Sequence, residues 1–104
     1  MIEQIFTLGN RTQHTIGAII KDENIHYMHM VLLKDESLPT HFTNATVYMT
    51  VIKGTLSLRL SDGEFRTYEE GSILVIPFNT KMDAQNHNEN TLELIVIKAP
   101  APKK

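Results

Sequence analysis

His41 is the residue in this chain best placed to do chemistry. It stands in the stretch Leu38 to Gly54, LPTHFTNATVYMTVIKG, ahead of residues Val47, Met49 and Val51, whose alternation would put them on one face of a strand. A lone imidazole can serve as a general base, as a polar handle for a ligand or as one ligand of a metal, and each role needs partners. Base catalysis needs an acid or a charge stabiliser within reach. A stable divalent site needs at least three protein ligands at ~2.0–2.2 Å. His26 and His29 are three residues apart in Ile25 to Leu33. On a helix capped by Asn24 they could share a metal; on a strand they point to opposite faces. His14 and His87 lie in polar turns and are expected to be solvated. The carboxylates offer His41 little: Asp62, Glu64, Glu69 and Glu70 belong to turns, and Asp83 adjoins Met82 with the opposite strand parity.

Composition narrows the classes of function. The 104 residues make one domain, 1–104, able to bury a single core, and domains of this size often gain stability by pairing. There is no cysteine, which excludes a disulfide framework, a thiolate nucleophile and a Cys-ligated metal. The formal charge of -2 is interspersed, and Lys103-Lys104 is too short a basic run for a nucleic-acid arm. No apolar stretch reaches the ~20 residues that span a bilayer, and residues 1–20 hold no continuous apolar leader. The expectation is a cytoplasmic protein with no nucleic acid or membrane as partner.

The elements that must position His41 read as strands. Apolar runs at 2–8 and 15–20 are separated by Gly9-Asn10 and predict two strands. The segment from Ile25 to Leu33 is open between helix and strand. Thr46 to Ile52 is β-rich and is broken by Gly54. Thr55 to Leu60 alternates Leu56, Leu58 and Leu60 with Thr55, Ser57 and Arg59, the pattern of a strand with one wet side. Asp62-Gly63 signals a hairpin returning through Phe65 to Tyr68. Ile73 to Ile76 is ended by Pro77, and Thr91 to Lys98, apolar on both faces over Leu94 to Ile97, predicts a central strand. Short strands at regular spacing argue for a sandwich or a barrel.

Over residues 25–100 the chain resembles the cupin superfamily of small jelly-roll barrels. The first cupin motif runs Gly, five residues, His-x-His, three or four residues, Glu, six residues, Gly. That spacing is met here with Asp35 for the first Gly, His41 for the first His, Thr43 for the second, Val47 for the Glu, and Gly54. The second motif, Gly, five residues, Pro-x-Gly, two residues, His, three residues, Asn, is met by Gly71, Pro77, Asn79 in place of Gly, Met82 in place of His, and Asn86. The resemblance implies an all-β, double-stranded β-helix barrel. Of its four usual metal-ligand positions, only His41 keeps a ligand of the usual kind.

The reading that follows is a barrel with a largely lost metal site that binds a small molecule in an apolar pocket. His41, Thr43, Val47, Met49 and Met82 line that pocket, and no cofactor is expected. Replacing Glu by Val and His by Met removes charge while keeping volume, as a dry pocket requires. Two alternatives stay open. One is an enzyme, either a metal-dependent oxygenase or isomerase with atypical ligands or a metal-free isomerase using His41 as base. The other is a metal held through His41, a divalent ion or Cu(I), since imidazole with Met49 and Met82, and Met28 and Met30 near by, is a soft donor set. A homodimer is expected through Ile2 to Phe6 and the outer face of the central strand, Tyr48, Thr50 and Ile52.

Overall fold

The computed structural model describes residues 2–103 and, among them, strands and no helix. In chain order the strands are β1 (Thr15–Lys21), β2 (His26–Leu32), β3 (His41–Phe42), β4 (Val47–Lys53), β5 (Thr55–Leu60), β6 (Arg66–Glu69), β7 (Ile73–Ile76), β8 (Lys81–Gln85) and β9 (Leu92–Lys98). They form two antiparallel sheets, one ordered β1-β2-β9-β4-β7 and the other β3-β8-β5-β6. Sheets of this size bury one face each, so alternate residues turn inward and meet between the layers. Leu32, Met49, Leu56, Ile76, Leu92 and Leu94 are the largest apolar side chains sealed there. Each such burial contributes about 1.5–3 kcal/mol.

β4 belongs to the first sheet and β5 to the second, and the chain passes between them at Gly54. The passage depends on glycine twice over. Its φ is +85°, and a Cβ there would sit 2.4 Å from the carbonyl oxygen of Thr91. Two other motif glycines are replaced without loss of backbone shape, because Asp35 (φ 64°) and Asn79 (φ 62°) occupy the same left-handed region, which Asp and Asn tolerate better than other residues with a Cβ.

Several expectations are corrected. Residues 2–8 form no strand. They run extended, with Phe6, Thr7 and Leu8 lying over Ile20, Tyr27, Ile52 and Ile95 on the outer face of the five-stranded sheet. The segment at 25–33, open between helix and strand on its residues alone, is strand β2, as the cupin resemblance implies, and His26 and His29 fall on opposite faces. The hairpin after β5 turns on Ser61 and Asp62, both with positive φ, and closes with the Gly63 amide donating to the Leu60 carbonyl at 3.0 Å. It therefore sits one residue earlier than the Asp-Gly pair suggests. Ser57, assigned to a wet face, is buried between its cross-strand partners Gln85 and Thr67. β3 and β8 were not delimited from the sequence: β3 is two residues long, and β8 hides its alternation because outward Asp83 is itself buried against Arg59.

Candidate functional site

Inward-facing residues at one end of the barrel do not meet, and they enclose a cavity of about 270 Å3. The first sheet supplies Met28 and Met30 from β2, Val47 and Met49 from β4, and Val96 from β9. Strand register makes this floor continuous, since Met28 lies opposite Val96 and Val96 opposite Met49. The second sheet supplies His41 and Met82, which are direct cross-strand partners on β3 and β8. Thr43 follows just after β3. All five residues selected from the sequence, His41, Thr43, Val47, Met49 and Met82, thus line one cavity. So do Met28 and Met30, and every methionine other than Met1 is in its wall.

Hydrogen bonding separates the two polar residues of that group. The Thr43 hydroxyl donates to the Pro77 carbonyl at 2.6 Å and accepts from the Thr80 amide at 2.9 Å. It ties β3 to the loop before β8, and its donor is spent. His41 is exposed at the mouth, and its Nδ1–H donates to the Pro39 carbonyl at 2.8 Å. That bond orients the ring and leaves Nε2 with no partner among the described residues, its lone pair available to whatever fills the cavity. Asn86 is structural: buried, it donates to the carbonyls of Leu32 and Asn90 and accepts from the Asn88 amide.

The metal that the fold family implies does not fit this wall. Of the four positions, Thr43 has committed its hydroxyl proton, Val47 is hydrocarbon and Met82 offers a thioether. Among the described residues no three His, Cys, Asp or Glu side chains gather to hold an ion. One imidazole is too few for iron, manganese or zinc.

Lys98 also lines the cavity, and sequence reading missed it. The signal was its strand position: Leu94, Val96 and Lys98 share one face of β9. Burial pushes the Lys98 amine below its ordinary range, and nearby Lys21 adds to the shift.

A second polar group lies on the opposite face of the same sheet. His29 is fully buried; its Nε2–H donates to Glu93 at 2.7 Å, and its Nδ1 has no partner among the described residues. Arg11 closes the carboxylate bidentately, at 2.7 and 2.9 Å. Asn10 makes this possible by accepting from the amides of Thr12 and Gln13, which turns the N-terminal segment back over the sheet. The Arg11 hydrogen bonds hold the Glu93 carboxyl below its usual range against the opposing effect of burial, and the His29 bond adds to this. A Glu within the apolar run LELIVI was the available sign that something must pair there.

No family model matches the chain. It is 38% identical over 105 residues to an uncharacterized protein of Methanocaldococcus jannaschii, a match covering 100% of this chain and 90% of the relative. A crystal structure from that organism, described as an RmlC-like cupin family protein with a double-stranded β-helix fold, superposes with a TM-score of 0.93 at 37% identity, covering 98% of this chain and 94% of that one. A cupin superfamily protein of Desulfitobacterium hafniense shares the fold at a TM-score of 0.75 and 10% identity, covering 89% of this chain and 83% of that one.

Proposed function

The chain belongs to the RmlC-like cupin family, and from that premise we propose that it is a binding cupin whose barrel takes a small, largely apolar molecule without a metal. One observation carries the reading: a preformed cavity walled by hydrocarbon and thioether groups, with an oriented imidazole whose Nε2 is left to a ligand. Such a cavity with few polar groups is the usual form of a small-molecule site. Methionine suits it, because flexible thioethers adapt to a ligand's outline.

The test is a screen of tag-free protein against small organic acids, aromatics and sugars by thermal shift and calorimetry, repeated with Val47→Trp, which fills the cavity. Hits lost in Val47→Trp support the reading. A substrate turned over with unchanged rate in that variant would move the activity elsewhere.

A second reading has its own observation. Four methionines and His41 are also the soft donor set that Cu(I) takes. Near-stoichiometric copper in elemental analysis after reconstitution, abolished in His41→Ala, would establish it; no uptake leaves the metal-free site.

The partner we propose besides the ligand is a second copy. Ile5 and Phe6 on the N-terminal segment and Tyr48, Ile73 and Val75 on the outer sheet face are exposed apolar groups of one chain. Two copies related by a twofold axis could cover both sets at once. A monomeric mass by light scattering at micromolar concentration would oppose this.

A further inference from the structure

A row of basic residues on the inner face of the five-stranded sheet runs to the cavity at Lys98. Lys21 on β1 pairs with His26 on β2, His26 with Lys98 on β9, and Lys98 with Val47 on β4. Residues paired in this way stand side by side on one face of the sheet, with Cβ atoms about 4.5–5.5 Å apart. The face is the inner one, since Met28, Val96 and Val47 on the same strands line the cavity. Three basic side chains therefore neighbour one another, and the last of them, Lys98, borders the apolar wall.

Like charges set opposite one another cost stability. Among the described residues no carboxylate comes within ion-pair distance of Lys21, His26 or Lys98. Asp22 acts on His26 at longer range, and its Oδ1 is engaged by the amides of Asn24 and Ile25. Lys98 has an apolar wall beneath it and a second lysine beside it. An anion placed between them would relieve both the burial and the repulsion.

We propose that the ligand of this cavity is a small monocarboxylate, its anionic end held by Lys98 with Lys21 and its apolar body seated among the methionines. This rests on the binding reading above and names the ligand's class. At about 30 Å3 per water in the liquid, the cavity's 270 Å3 corresponds to roughly nine waters, room for a short-chain acid and not for a lipid.

The experiment compares hexanoate with hexanamide, which has nearly the same shape and no charge, by calorimetry on the tag-free full chain at low and moderate salt. Hexanoate is expected to bind at least tenfold more tightly, with a margin that narrows as salt rises. The margin should fall below threefold in Lys98→Met, which keeps the apolar stem, and return in Lys98→Arg. Lys21→Met should reduce it less, and provides a second variant should Lys98→Met fold poorly. Equal affinity for the two probes would overturn the anion assignment while leaving the apolar pocket in place. A preference for hexanoate that survives Lys98→Met would overturn the assignment to Lys98. Binding of neither probe would overturn the assignment and count against the pocket reading as well.

Discussion

The five-stranded sheet has a histidine on each side, His29 on its own outer face and His41, from the facing sheet, at the cavity its inner face bounds, and the two differ in what surrounds them. On its outer face the Glu93 carboxylate is held by Arg11 and by the His29 Nε2–H at 2.7–2.9 Å, both His29 and Glu93 are removed from water, and the His29 Nδ1 is buried with no partner among the described residues. At the cavity bounded by its inner face, His41 is oriented by one backbone carbonyl and keeps a nitrogen without a partner, while Lys98 faces apolar side chains with no counter-ion among the described residues. A buried carboxylate paired within the chain holds the fold together. Groups that are aimed and left unsatisfied beside an empty volume are suited to something from outside. Each histidine leaves one nitrogen without a partner among the described residues, so the imidazole alone says little about function; its exposure and the pairing of its charged neighbours say more.

The sharpest way to break the contrast is Glu93→Ala. It strands a fully buried imidazole and releases the N-terminal segment, and removal of one partner from a buried pair costs about 3–5 kcal/mol. Equilibrium urea unfolding should show that loss. A value under 1 kcal/mol would mean that the outer group is not structural. Acid provides the next test. Because the folded Glu93 carboxyl is held below its ordinary value of 4.5, its contribution is complete above that pH. It is lost as pH falls through the lower folded value, when the carboxylate takes up a proton. Urea midpoints measured from pH 6 downward should therefore drop below about pH 4.5, and the drop should be shallower in Glu93→Gln, the remaining slope coming from Asp22, Glu36 and Asp62, whose carboxyls are also lowered. The smallest effect belongs to the inner side. His41→Ala should change stability by no more than about 0.5 kcal/mol, since the ring is exposed and makes one hydrogen bond. The same variant should lose affinity for any ligand found. A large stability loss in His41→Ala would erase the distinction between the two faces.

Much of the inner side was legible because its information is spacing. Motif offsets and strand parity brought His41, Thr43, Val47, Met49 and Met82 into one wall, and Gly54 and Gly71 marked positions where the backbone has positive φ. Asp35 and Asn79 kept the conformation of the glycines they stand for, so the offsets held despite substitution. The outer group was hidden because its members come from residues 11, 29 and 93, with no offset to connect them. Lys98 was missed for a related reason. It closes an apolar strand and reads as a solvated end, and only the pairing of β9 with β2 and β4 sets it beside His26 and over the cavity. The N-terminal run misled because an apolar segment can cover a sheet's face as well as join its edge, and composition does not distinguish the two.

The Thr43 hydroxyl bears on anyone wishing to engineer a metalloenzyme from this barrel. Installing the three-histidine, one-glutamate set calls for histidine at 43 and 82 and glutamate at 47, and two of those positions hold only side chains that would be exchanged. Position 43 instead clips β3 to the turn at Pro77 to Thr80. Its replacement would remove both side-chain bonds and leave the strand that presents His41 tied to that turn only through the backbone bonds of residue 43 to Asn79 and Thr80, so a redesign must make good that loss.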